Sequence, residues 1–217
     1  MQKIRVTTLK QILKLLACAM ILKVILGVLF SYRDYVPPNF ESDFLRGRKV
    51  YFSGSYQTAF YGHIFSGPCS LLLGLVLLNE QFRQRFAKCH RCLGRVQIAC
   101  VLLLVAPSGL WMAFHAETGA IAGFGFAALA VATGFCISFG WRSAVKRRFA
   151  EHRRWMWRCF LLLCSAVVLR LMGGLATIAE VEGEWAYQTA AWTSWLLPLG
   201  VFEMAQLRVR RKKQHTQ

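Results

Sequence analysis

The chain is 217 residues long, 56% apolar and only 17% charged, and its 27 Lys+Arg against 10 Asp+Glu leave a net charge of +17. Ordinary soluble domains carry about 45–50% apolar and about 25% charged residues, and a mean hydropathy of +0.40 excludes a disordered chain. With 17 Gly and 5 Pro, collagen-like and low-complexity classes are excluded as well. What remains is an all-α, polytopic integral membrane protein.

A helix that crosses a bilayer needs about 20 mostly apolar residues. Six stretches meet that need: 15–31, 59–78, 96–114, 121–141, 155–178 and 186–206. The reading is a single transmembrane domain, a six-helix bundle. The first span follows Lys3, Arg5, Lys10 and Lys14, as a signal peptide would. Lys23 interrupts its apolar run, however, and residues 27–32 hold no small-x-small cleavage site, so an uncleaved first helix is expected.

Residues 32–58 form the one long loop. Tyr32, Tyr35, Phe40, Phe44, Tyr51, Phe52 and Tyr56 suit the headgroup layer, so the segment is expected to lie on the outer surface. The second span then carries His63, Gly67, Ser70 and Gly74 at i, i+4, i+7 and i+11, a small polar stripe headed by a histidine.

Orientation follows from the basic residues. Those before span one, between spans two and three, around the junction of spans four and five, and after span six number 21; the opposite side holds only Arg33, Arg46, Arg48 and Lys49. The positive-inside rule therefore puts both termini in the cytoplasm, in a cell membrane and most simply a bacterial inner membrane. A sequence pI near 10.1 would otherwise suggest nucleic acid. Here the charge is split over short segments flanking spans, which fits the lipid bilayer and anionic lipids at its cytoplasmic face. Of the eight cysteines none falls in an outer segment, so no structural disulfide is expected. Cys89-His90-Arg91-Cys92 has the look of a metal or redox motif but lacks a second pair of zinc ligands.

Charges and histidines in spans are costly and mark working sites. On a continuous helix His90 and His115 share a face about 37 Å apart, with Gly94, Gln97, Ser108 and Trp111 near it; His152 and Arg170 share another, about 27 Å apart. An outer layer of His63, His115 and Arg170 and an inner layer of His90 and His152 follow. Arg158 and Glu203 fall at similar depth and are expected to pair. Histidines from separate helices can hold a b-type haem, and arginine can pair with its propionates. The expected arrangement is membrane electron transfer by one or two haems, with His63 and His115 as outer iron ligands, His90 and His152 as inner ones, and Arg170 on a propionate. Two alternatives stand beside it. One is a transporter or lipid-handling protein that binds an anionic group at Arg170 and relays protons through the histidines; the other is a non-catalytic scaffold. A hydrolase is disfavoured, since no nucleophile elbow, H-E-x-x-H helix or P-loop is present.

His63-Ile64-Phe65-Ser66-Gly67, His90-Arg91-Cys92-Leu93-Gly94-Arg95, His152-Arg153-Arg154-Trp155-Met156-Trp157-Arg158 and Leu169-Arg170 together resemble a predicted-membrane-protein family, domain of unknown function 2306, over about residues 60–205. That resemblance implies an architecture and a site but no reaction. The family's usual tyrosine two places after the Gly-Arg pair is replaced here by Gln97, so no role for it carries over. The histidine-bearing helices also look loosely like those of ascorbate-dependent two-haem cytochromes.

Overall fold

The computed structural model describes residues 2–42, 44–181 and 183–214. Among them every regular element is helical. The chain divides into two compact units, Met1–Gly54 and Ser55–Gln217.

The first unit is one long helix and a folded loop. Helix α1 runs over Gln2–Tyr35 and contains the apolar stretch Leu15–Tyr35, with Lys23 exposed on it. The aromatic segment beyond it folds on itself. Leu45 is fully buried, Tyr35 meets Phe44 and Phe40 meets Phe52 edge to face at 6.3 and 5.4 Å. Arg48 is buried in the same loop. It lies 4.6 Å above the Phe44 ring and donates to the Phe44 carbonyl at 2.6 Å and to the Tyr51 hydroxyl at 3.1 Å. The aromatic residues thus build a small core of their own.

The second unit holds α2 (Gly54–Leu77, whose first residue belongs to the preceding unit), a short α3 (Glu80–Arg85), α4 (Ala87–Cys100), a π-helical turn (Val101–Val105) and α5 (Ala106–Ala113). It continues with α6 (Ala120–Val145), α7 (Phe149–Leu163), α8 (Ser165–Ile178) and α9 (Glu184–Gln214). Asn79 caps α3, its side-chain oxygen accepting from the Phe82 amide at 3.0 Å. The stretch expected as a single helix over 96–114 is therefore built in three pieces, and that over 155–178 in two, joined at Cys164. Pro107, in the first turn of α5, brings no N–H to the ladder, and the wider turn sits just before it.

Among the described residues five segments are long and apolar enough to cross a membrane: Leu15–Tyr35, Gly54–Leu77, Ala87–Ala113, Ala120–Val145 and Phe149–Ile178. The sixth expected stretch, 186–206, lies inside α9. That helix has the length, at 31 residues, but not the apolarity. Its polar side chains are spent on neighbours. Gln188 Nε2 and Trp192 Nε1 donate to the Thr118 and Ile121 carbonyls, each at 3.0 Å, where α6 begins. Thr193 Oγ1 reaches Met172 Sδ at 3.6 Å, and Ser194 is fully buried.

Helix α6 packs against α5, α7 and α9, and small residues allow the close approach. A Cβ on Gly125 would stand 3.1 Å from the Trp192 ring nitrogen, and one on Gly140 would meet Met156.

Candidate functional site

Helix α2 presents His63, Ser66 and Ser70 to the α4–α5 rod, and the two elements join through polar groups. His63 Nδ1 and Ser108 Oγ lie 3.0 Å apart. The Ser108 hydroxyl also reaches the carbonyls of Leu104 and Val105 at the end of the π turn, and His63 itself hydrogen-bonds the Val105 backbone. A Cβ on Gly109 would stand 3.1 Å from His63 Cε1, so the ring is closely seated against this glycine.

About two turns further along α2, Ser70 Oγ and Cys100 Sγ are 3.2 Å apart, and the thiol also reaches the Ser66 carbonyl at 3.8 Å. Gln97 Nε2 donates to the Ser70 carbonyl at 3.1 Å. Cys100 and Ser108 are eight residues apart, which on an unbroken α-helix puts them about 80° out of line. The π turn takes up that offset and brings both onto α2.

Seven buried side-chain atoms have no hydrogen-bond partner among the described residues. Three of them, Ser66 Oγ, Gln97 Oε1 and His90 Nδ1, fall on this seam or its continuation. His90 and Gln97 lie seven residues apart, hence on one face of α4 and about 10 Å apart. A fourth, Arg83 Nε, belongs to a side chain whose charge reaches His90. The others are Thr118 Oγ1, Ser194 Oγ and Trp195 Nε1, away from the seam. The result is a line of polar groups along unit two, from His63 through Ser66, Ser70, Cys100 and Gln97 to His90.

The remaining histidines sit off that line. His152 Nδ1 donates to the Gly140 carbonyl at 2.9 Å, which fixes the ring with Nε2 outward, and its charge acts on His90. Both histidines are the fourth residue of their helices. His115 lies past the end of α5, its Nδ1 3.4 Å from the Trp111 carbonyl and its ring 4.8 Å from that of Tyr56. Arg170 is exposed on α8, donates to the Ala166 carbonyl at 3.0 Å, and its charge is felt at His63.

The inner histidines are thus within electrostatic reach of one another, whereas His63 and His115 each face other partners. Of the stripe's two glycines, Gly74 is filled, a Cβ there standing 2.6 Å from the Phe160 ring, whereas Gly67 has nothing within 4 Å of one. His63 bonds to Ser108 and His115 packs on Tyr56, and no contact joins the two rings among those of the described residues. Among the described residues no three or more His, Cys, Asp or Glu side chains gather as a metal site. Beside His90, Arg83 pairs with Glu80 while Gln84 Nε2 donates to the same carboxylate at 2.9 Å, and together they hold the Glu80 carboxyl below its usual range.

Arg158 and Glu203 meet across α7 and α9, Nε to one oxygen at 2.6 Å and Nη2 to the other at 3.0 Å, with the Trp155 ring 4.5 Å from the guanidinium. The Cys89-His90-Arg91-Cys92 cluster does not converge: both thiols are exposed, while His90 turns about 100° away into the unit. Reading the stripe for its glycines passed over Ser66. Cys100 was counted as an ordinary span cysteine, and periodicity assumed a continuous helix where the π turn lies.

No curated protein and no solved structure matches the chain. Residues 60–205 match the model of a family described as predicted membrane protein, domain of unknown function 2306, and the chain belongs to that family.

Proposed function

We propose that this protein handles protons in a cell membrane, moving them, alone or with a small polar solute, along the seam between α2 and α4–α5. The carrying observation is that Ser66 Oγ, Gln97 Oε1 and His90 Nδ1 are buried without a hydrogen-bond partner among the described residues, Ser66 one turn from His63 on α2 and Gln97 and His90 on one face of α4. In hydrocarbon each orphan group costs on the order of 1–3 kcal/mol or more. A dry packing seam would not keep three of them on one line; a hydrated path uses them. Intramembrane histidines with hydroxyl and amide neighbours are the usual material of proton relays. Irregular backbone such as the π turn is tolerated at membrane depth where it lines such a path.

In this reading six helices span, α9 being the sixth, and the basic ends put both termini in the cytoplasm beside anionic lipids. His63 then lies toward the outside and His90 toward the cytoplasm. The full chain in liposomes, under an imposed potential, should collapse a pH gradient faster than protein-free liposomes. His63→Ala and Gln97→Leu should slow that at least tenfold with helicity and elution volume unchanged. Flux equal to that of empty liposomes, or unaffected by both substitutions, rejects the proposal.

One observation favours a second reading. His152, anchored by Gly140, and His90, whose Nδ1 has no partner among the described residues, are the residues that would hold a single inner b-type haem. Such a group would supply one-electron transfer, and Arg83 and Arg91, whose charges reach His90, would face its propionates. Protein from haem-replete cells would then show a Soret band lost in His90→Ala and His152→Ala but kept in His63→Ala. A colourless preparation, unchanged on haem addition, rejects it.

A further inference from the structure

The two thiols at the basic end of α4 play no part in the seam. We propose that Cys89 and Cys92 form a two-thiolate site for a soft monovalent metal ion, Cu(I). They are the third and sixth residues of α4, which begins at Ala87, and both are exposed. At that spacing their Cβ atoms are neighbours on one side of the helix, about 5–6 Å apart. A disulfide needs them about 3.5–4.5 Å apart, so oxidation would have to distort the first turns of α4. Two sulfurs closing on one ion between them leave the helix intact.

The donor set selects the metal. His90 lies on the other side of the helix, and among the described residues no group of three or more His, Cys, Asp or Glu side chains forms around the pair. Zinc, which takes four ligands in structural sites, is not served. Thiolate ligands select soft Cu(I). The surroundings then fit the charge. Two thiolates and one Cu(I) carry a net charge of −1, and binding releases two protons with no change of oxidation state. Lys88, Arg91 and Arg95 are exposed beside the pair, and the first turn of α4 turns its positive end to the same place. The other cysteines lack this setting: Cys136 and Cys159 are buried, and Cys18 and Cys69 stand singly on apolar helices.

The test is independent of the proton reading. Reduced full-length protein in detergent, kept anaerobic, is titrated with Cu(I) against a chromophoric Cu(I) chelator. One equivalent should leave the chelator, with affinity falling at least tenfold in both Cys89→Ser and Cys92→Ser and unchanged in His90→Ala and Cys18→Ser. Proton flux in liposomes should be the same for Cys89→Ser as for the native chain. Copper uptake that survives Cys89→Ser together with Cys92→Ser overturns the site. Zinc bound as tightly as Cu(I), or loss of Cu(I) in His90→Ala, overturns the two-thiolate assignment.

Discussion

Two interfaces of the second unit bury polar groups among apolar helices, and they do so in opposite ways. Between α7 and α9, Arg158 and Glu203 match two donors to two acceptors, with the Trp155 ring closing the flank. Between α2 and α4–α5, the hydrogen bonds of His63, Ser70, Cys100 and Gln97 leave Ser66 Oγ and Gln97 Oε1 over. A polar contact that satisfies itself fixes which helices meet. One that does not has to be completed by something from outside the chain, and that is what separates a joint from a site.

The comparison breaks most visibly at the ion pair. Arg158→Leu leaves the Glu203 carboxylate among apolar neighbours. The two side chains are 17% and 38% exposed, so the loss should be about 2 kcal/mol rather than the ~3–5 kcal/mol of a fully enclosed pair. Arg158→Leu with Glu203→Leu should recover most of it, since two apolar residues leave no orphan charge. Chemical unfolding in detergent reads both. A double variant no more stable than the single one would mean that the contact does more than join α7 to α9.

Glycine substitutions sharpen the comparison at the next level. At Gly74 a new methyl group would press on the buried Phe160 ring, 2.6 Å away, in a place where the ring has no room to turn. Gly74→Ala should cost about 1–3 kcal/mol. At Gly140 the main obstacle is the tip of Met156, which can swing aside, with the Trp155 Cβ at 3.3 Å a tight but lesser contact, so Gly140→Ala should cost about 1 kcal/mol. Equal losses in thermal unfolding would show that Phe160 is not wedged against α2.

How much of this the sequence disclosed depends on range. The apolar runs and charged gaps placed five of the six expected spans on helices long and apolar enough to cross, because hydrocarbon thickness imposes one length on every helix. Depth alone brought Arg158 beside Glu203, since two helices crossing one slab align residues at equal height. The seam was legible only in part. His63 and Ser70 stood out on α2 and Gln97 and Ser108 on a face of the third span, but which of the faces would meet depends on helix rotation. A π turn changes that rotation by a fraction of a turn and leaves no sign in hydropathy. The outer pairing of His63 with His115 assumed convergence from depth. The structure instead seats His63 on Gly109 and turns His115 toward Tyr56. Helix α9 carries the expected stretch 186–206, but its polar residues lower its hydropathy while bonding to α6, α7 and α8.

The smallest expected change in stability is also the most informative. Ser66→Ala removes a hydroxyl that is buried and has no partner among the described residues. If α2 and α4 met in a dry joint, losing that orphan group would stabilise the protein by about 1 kcal/mol or more. If the seam is hydrated, the hydroxyl is already satisfied by water, so stability should move by less than about 0.5 kcal/mol while proton flux falls. The two measurements separate the accounts because they move in different directions: a stabilised protein with unchanged flux would make this interface a second joint, whereas an unchanged stability with slowed flux assigns Ser66 to the conducting line between His63 and His90.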